Sequence, residues 1–550
     1  MSTADSSPWW RGAVIYQVYP RSFADGNGDG IGDVAGIRSR LNHLSALGVD
    51  AIWFSPWYPS PMADAGYDVS DYRDIDPVFG SLGEVEALIA EAHDLGIRTI
   101  VDVVPNHCSD AHPWFQAALA GGPGAPERDL FWFRPGRGPN GDQRPTDWVG
   151  EFGGETWTRT TNPDGTPGDW YLHLFAPQQP DFNWEHPRVR AEFEDILRFW
   201  FDRGVDGIRI DSAGLLVKDA TLPEVRPDEP HPFHDLDGVH DIYRGWRRVA
   251  DEYPDRALIG EVWLPDRQRF ANYLRADELH AAFNFDFLGC AWDAAALRES
   301  IDGTLNAHAP VNAPATWVLS NHDVTRHVTR YGRADTRFSF AAKREGIPTD
   351  LELGTRRARA AALLSLSLPG AAYVYQGEEL GLWEVEDIPY ALRQDPMWER
   401  SGRIDPGRDG CRVPLPWGGD EPPFEFSPRG TATPWLPQPA DWKDRTVSAQ
   451  TGDPASMLEL YRAAIQIRRS DPALGDGEMS WLPAPEGVLA FSRGGGFHCL
   501  VNLTDASVPL PVDGELLLAS GPLDEGLLPS DTAVWLRTPE SADGPGATRQ

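Results

Sequence analysis

Gly207-Ile-Arg-Ile-Asp211 is a short apolar run that ends in an acid, and its reading decides the fold. Arg209 and Asp211 lie two apart, so on a strand both side chains face the same way. Three other segments repeat the design. They are Asp102-Val-Val-Pro-Asn-His107, Glu261-Val-Trp263 and Asn321-His-Asp323. Each places charged groups at the end of a β-prone run, with enough chain before the next for a helical crossover. Such spacing gathers the ends of several parallel strands around one mouth.

Working outward, strand-like runs are expected at 14–19, 51–54, 98–104, 207–211, 257–261, 281–285, 316–320 and 371–376. Amphipathic, helix-like stretches lie between them, for example at 37–47, 85–95 and 188–203. Strand and helix in alternation predict an α/β protein built on a closed parallel (β/α)8 TIM barrel. An open doubly wound sheet is the competing arrangement. It would want a Gly-x-Gly-x-x-Gly turn after the first strand, and the glycine-rich run after Tyr19 is studded with Asp instead, which repels a pyrophosphate.

Two gaps are too long for ordinary connections. One, at 107–178, is rich in Gly, Pro, Trp and Asp and reads as a domain inserted after the third strand. The other, at about 377–454, reads as a long loop subdomain after the eighth. The barrel then occupies 1–106 and 179–470, closed by a helix at 455–469. Alternating runs such as Gly487-Val-Leu-Ala-Phe-Ser492 and Phe497-His-Cys-Leu-Val-Asn502 make 471–550 an antiparallel β-sandwich domain. The last dozen residues are expected to fray.

Composition narrows the partners. The 550 residues carry 49 Lys and Arg against 83 Asp and Glu, a formal charge of −34. That field repels nucleic acid and anionic membranes and suits a neutral substrate. Four scattered cysteines, without Cys-x-x-Cys, argue against a disulfide framework or a zinc site. The first ten residues lack a signal-peptide pattern and no later run is apolar enough to span a bilayer, so a cytoplasmic protein is expected. The 22 tryptophans suit sugar stacking only where they flank polar clusters. Oligomeric state is not legible.

The chemistry follows from the strand ends. Arg209 beside Asp211 is expected to favour the ionised carboxylate, a nucleophile toward an anomeric carbon. Glu261, if partly buried near Asp211, can serve as general acid. Two carboxyls roughly 5–5.5 Å apart cleave a glycosidic bond with retention, without metal or organic cofactor. Asp323 ends a third strand, and His107 and His322 flank the mouth as donors to sugar hydroxyls.

On these segments, and on Gln179-Pro-Asp-Phe-Asn-Trp184, the chain resembles the α-amylase superfamily, glycoside hydrolase family 13. It is most similar to the exo-acting α-glucosidase and oligo-1,6-glucosidase branch, from Gly12-Ala-Val-Ile-Tyr-Gln-Val-Tyr-Pro-Arg-Ser-Phe23 to the C-terminal domain. The resemblance implies Asp211 as nucleophile, Glu261 as acid/base and Asp323 as transition-state stabiliser. Arg209, His107 and His322 would line the glucose subsite. In Asp64-Ala-Gly-Tyr67, the Tyr would stack on that glucose and the Asp would grip its far hydroxyls. Arg412, in Arg408-Asp-Gly-Cys-Arg-Val-Pro-Leu-Pro-Trp417, would close the pocket from the other side. Together Asp64 and Arg412 would leave room for one terminal sugar.

Asp25-Gly-Asn-Gly-Asp-Gly-Ile-Gly-Asp33 places hard oxygens at alternate positions. The resemblance implies a structural Ca2+ or Mg2+ held by Asp25, Asn27, Asp29, the Ile31 carbonyl and Asp33. The competing reading is a polar turn closed by its own Asp side chains. In similar enzymes the residue after the nucleophile tracks linkage. Valine goes with α-1,6, while Thr or Ala goes with α-1,4. Ser212 therefore leans toward α-1,4 substrates such as maltose. The expected activity is a retaining exo-α-glucosidase acting on small α-glucosides, with transglucosylation. The alternatives are a sucrose- or maltose-acting transferase or isomerase that forms trehalose, an endo-acting amylase, and a non-catalytic scaffold of the same fold. The last is opposed by the presence of all three carboxylates.

Overall fold

The computed structural model describes residues 7–227, 231–428, 430–524 and 526–539. The fraying expected at the C-terminus concerns positions that lie almost wholly outside these.

The central sheet has eight strands. They are β1 Val14–Val18, β2 Ala51–Phe54, β3 Arg98–Val103, β4 Gly207–Ile210, β5 Ala257–Gly260, β6 Ala281–Ala282, β7 Thr316–Val318 and β8 Ala371–Tyr375. All pairings are parallel, and β8 returns to β1 through Val14 opposite Ala372. The order β7-β8-β1-β2-β3-β4-β5-β6 is cyclic, which excludes the open doubly wound sheet. At the seam between β6 and β7 a side chain replaces the ladder. The Thr316 hydroxyl donates to the Ala282 carbonyl at 2.6 Å and accepts from Asn284 N at 3.1 Å.

Alternation along the strands separates two cores. Ile15, Trp53, Ile100, Ile259 and Tyr373 pack inside the barrel. Val14, Tyr16, Ile52, Val101, Ile208 and Leu258 face outward into the helical layer. The inward parity then continues toward the strand ends as Gln17, Asp102, Arg209, Asp211 and Glu261. A fold-wide rule of residue parity thus aims the charged groups into the mouth.

The strands stop one or more residues short of several expected ends. Asp211 and Glu261 fall just past the ladder, where a side chain is free to meet a ligand. The run at 281–285 yields only two strand residues, because Asn284 accepts from Phe287 N at 3.1 Å and starts a helix, Phe285–Gly289. The stretch at 37–47 is two helices, Val34–Ser39 and Leu41–Leu47, parted at Arg40, whose backbone (φ −113°, ψ 5°) leaves the helical region.

Between β3 and β4 lies a three-stranded antiparallel sheet with Pro167–Leu172 at its centre, flanked by Phe133–Arg134 and Trp157–Thr161. Its core of Trp132, Trp148, Trp157, Leu172 and Leu174 also takes Leu215 and Phe233 from the loop after β4. Between β8 and the helix Met457–Ser470 the chain has only short helical turns, such as Pro396–Arg400 and Val447–Gln450. At the C-terminus a five-stranded antiparallel sheet is covered on one face by a two-stranded ribbon, Val508–Pro509 with Leu527–Leu528. It joins the barrel layer through helix Leu351–Ser367, where Trp535 Nε1 donates to the Leu363 carbonyl at 3.1 Å. No helix among the described residues is long and apolar enough to cross a membrane.

Candidate active site

Asp102 and Arg209 are register partners across β3 and β4. The Arg209 guanidinium, 1% exposed, is the hub of the mouth. Its Nη1 donates to Asp102 Oδ1 at 2.8 Å and to Asp211 Oδ1 at 2.7 Å, and its Nη2 donates to Glu261 Oε2 at 2.6 Å. Asp211 and Glu261 therefore stand side by side within the span of one guanidinium. Ser212 ties the pair a second time. Its φ of 47° lies in the left-handed region, a strained conformation for a non-glycine residue. That turn lets Ser212 N donate to Glu261 Oε2 at 2.9 Å while its hydroxyl donates to Asp211 Oδ2 at 3.0 Å.

Arg209 does not settle the charge of Asp211 as the sequence suggests. Burial pushes the Asp211 carboxyl well above the usual range, and Glu261 and Asp102 push the same way against Arg209. One positive charge is divided among three buried carboxylates, so the cluster holds a proton. Burial likewise raises Asp102 to about 7, with Arg209 opposing.

Asp323 is the opposite case. Burial would raise it, but His322, Arg408 and Arg412 outweigh that and hold it well below the usual range. Its Oδ1 accepts from Arg412 Nη2 at 2.9 Å and Arg408 Nη1 at 3.2 Å, while His322 Nε2 lies 3.2 Å from Oδ2. Gln17 Nε2 lies 2.7 Å from His322 Nδ1, and His322 Nε2 also meets Tyr67 Oη at 2.6 Å. Tyr67 Oη lies 3.2 Å from Asp102 Oδ2, which closes the network. Burial keeps both His322 and His107 neutral, with His107 lowered to about 3 and Lys218 adding to that shift. Asn106, beside His107, accepts from buried Lys218 at 2.6 Å, and Lys218 pairs with Asp181 at 2.9 Å.

The far wall corrects one expectation. Arg412 does not close the pocket. It is 1% exposed and is spent beneath the floor on Asp323 and the His322 carbonyl. The guanidinium that meets Asp64 belongs to Arg408, four residues earlier, at 2.6 Å. Asp395 orients Arg408 from behind at 2.5 Å, and Gln179 Nε2 donates to Asp64 at 3.1 Å. Burial raises Asp64 to about 6 against the pull of Arg408. Asp102, Gln179 and Arg408 all lie inside motifs quoted above, but nothing local distinguishes them from their neighbours.

Of the groups described so far, Asp64, Tyr67, His107, Asp211, Ser212, Glu261, Asp323 and Arg408 line a cavity of about 390 Å³. Small-molecule sites run roughly 300–1,000 Å³. Asp64, Tyr67, His107 and Arg408 form its closed end, with Asp211, Glu261 and Asp323 at the middle. Trp263, Phe340 and Met397 form its rim. A blind pocket with two adjoining carboxyls and a third, ionised one fits hydrolysis at a terminal sugar.

The sequence profile described as alpha amylase, catalytic domain, matches residues 17–477. The chain belongs to the α-amylase family. Within this family, glycoside hydrolase family 13, it is 39% identical over 537 residues to a probable alpha-glucosidase of Rhizobium meliloti (strain 1021), covering 92% of this chain and 91% of that protein. It is 33% identical over 546 residues to an oligo-1,6-glucosidase of Parageobacillus thermoglucosidasius, with 92% and 91% covered. Among solved structures, the trehalulose synthase MutB of Pseudomonas mesoacidophila MX-45 superposes with a TM-score of 0.84 at 30% identity, over 97% of this chain and 100% of that one. An inactive double mutant of MutB has been solved with isomaltulose bound. Family membership makes the protein a glycoside hydrolase.

The loop at 25–33 is closed by its own side chains. Asp25 accepts from Gly28 N at 2.6 Å and Gly30 N at 2.8 Å, and Asp33 accepts from Gly36 N at 2.6 Å. Asn27 and Asp29 cap the residues two further on. No group of three or more Asp, Glu, His or Cys among the described residues is placed to hold a metal. Asp25, Asp29 and Asp33 thus do not form a cage as they stand.

Proposed function

We propose that the protein is a retaining exo-α-glucosidase. It releases α-glucose from the non-reducing end of short α-glucosides, with maltose ahead of isomaltose, and transfers glucose when another acceptor replaces water. The observation that carries this reading is the Arg209 hub, which pairs Asp211 and Glu261 in a pocket sealed behind by Asp64 and Arg408.

In the proposed reaction the Asp211 carboxylate attacks the anomeric carbon. Glu261 gives a proton to the departing oxygen, and a covalent glucosyl ester forms. Glu261 then takes a proton from water, which attacks the same carbon and frees Asp211. The proton held by the cluster meets the need for one protonated and one ionised member. Asp323, ionised by three cationic or polar neighbours, stabilises the positive charge that develops on the sugar ring. Neutral His107 and His322, with Asp64 and Arg408, bind the glucose hydroxyls. The small side chain of Ser212, its hydroxyl already given to Asp211, supports the α-1,4 preference.

A proton NMR time course with maltose, isomaltose and sucrose in separate tubes tests the proposal. Early α-glucose from maltose, ahead of isomaltose, is expected. The likeness to a trehalulose synthase keeps a second reading in view, an α-glucosyl transferase or isomerase on the same residues. New disaccharides in place of glucose would select it.

The 25–33 loop is a narrower matter. Its hard oxygens suit Ca2+ or Mg2+ in kind, but a cation would have to draw Asp25, Asp29 and Asp33 together from where they lie. Chelation decides. A lower Tm with activity kept means a stabilising cation. An unchanged melting curve means that the loop is closed by its N–H groups alone.

A further inference from the structure

Trp263 stands at the rim, two residues past Glu261. At 39% exposure it is the one exposed tryptophan among the described residues. Its Nε1 donates to Glu261 Oε1 at 2.9 Å. One face lies flat on Phe285, with ring centroids 3.6 Å apart and planes 3° apart. Phe340 meets it edge-on at 5.3 Å. The indole is therefore clamped, and its remaining surface lines the cavity that holds Asp211 and Glu261.

Much of the rest of this rim is apolar, from Leu215, Val262, Leu264, Phe340 and Met397. Its polar groups are already paired. Glu151 pairs with His234 at 2.9 Å, and Asp235 accepts from Arg269 at 2.7 Å and from Tyr273 at 2.8 Å. A flat aromatic ring needs no polar partner there, and the open indole would take it by stacking, as it would the apolar face of the second glucose of maltose.

We propose that Trp263 determines the aglycone and acceptor class, favouring planar aromatic alcohols over non-planar alcohols of the same size. This rests on the roles of Asp211 and Glu261 given above. In transfer, the acceptor oxygen bonds to the anomeric carbon as the ester bond from that carbon to Asp211 breaks. The acceptor proton passes to Glu261, and Asp211 leaves as a carboxylate. Nothing is oxidised or reduced. In hydrolysis of an aromatic glucoside the same face holds the leaving group.

The test sets benzyl alcohol against cyclohexylmethanol, equal in concentration, with maltose as donor, and reads the ratio of the two glucosides formed. Wild type is expected to favour benzyl α-glucoside by roughly three- to tenfold, the range of aromatic stacking. In Trp263→Leu the ratio falls to about one, and in Trp263→Phe it falls part of the way. The ratio is independent of any loss of rate through Glu261. Equal products from wild type, or a ratio unchanged in Trp263→Leu, overturns the proposal. If the Leu variant does not fold, an unchanged ratio in Trp263→Phe does so. A wild type that releases no glucose from maltose counts against the maltose reading alone. The ratio is then read with 4-nitrophenyl α-glucoside as donor.

Discussion

Asp64 and Arg408 form a buried ion pair at 2.6 Å although 344 residues separate them in the chain. Both side chains are almost fully out of water, so removing one strands the other. Arg408→Ala is expected to destabilise the fold by about 3–5 kcal/mol, read by chemical denaturation. It also opens the closed end. With maltotetraose, wild type releases glucose alone, whereas the variant releases longer products as well, which chromatography separates.

Asp211→Ala is expected to lower kcat by at least about 10⁴-fold while the circular dichroism spectrum stays native. Near-normal turnover in that variant would remove the nucleophile assignment. Glu261→Gln separates the two steps. With 4-nitrophenyl α-glucoside, whose leaving group departs unaided, the variant accumulates a glucosyl–protein adduct. Mass spectrometry then finds one hexose on the peptide that carries Asp211.

Asp102→Asn tests the shared guanidinium. Asp211 is raised by burial and by its acidic neighbours, so the acid limb of kcat/KM against pH reports ionisation of the Asp211 carboxyl. Removing a negative neighbour makes ionisation of Asp211 easier. The acid limb therefore moves to lower pH. A shift to higher pH would mean that Asp102 acts on Asp211 by holding Arg209 in place, not through its charge.

The barrel was legible because its signal is repeated. Eight apolar runs at crossover spacing and inward-facing acids at their ends leave few alternatives. That Asp211, Glu261 and Asp323 meet in one cavity was readable for the same reason. The choice between Arg408 and Arg412 was not. They flank one short helical turn, Asp409–Cys411, and only the distant partners Asp64 and Asp323 decide which reaches across. The charge of Asp211 also escaped the sequence, because it depends on three carboxylates that meet only when β3, β4 and β5 pair.

Ser212→Val bears on linkage. Valine at this position goes with α-1,6 preference in similar enzymes, so the ratio of kcat/KM for isomaltose over maltose is expected to rise. The φ of 47° suits a β-branched residue poorly, and the variant is expected to be less stable by about 1–3 kcal/mol. An unchanged ratio would assign linkage choice to the rim instead.

Arg209 is outnumbered three to one by carboxylates, and the proton that the cluster keeps makes up part of the difference. Anything positive that enters must compete with that proton. An amine-bearing sugar mimic will therefore bind more tightly as pH rises toward its own pKa, and will release protons to the buffer as it docks. A neutral sugar will do neither. Calorimetry in two buffers of different ionisation heat would read the exchange directly.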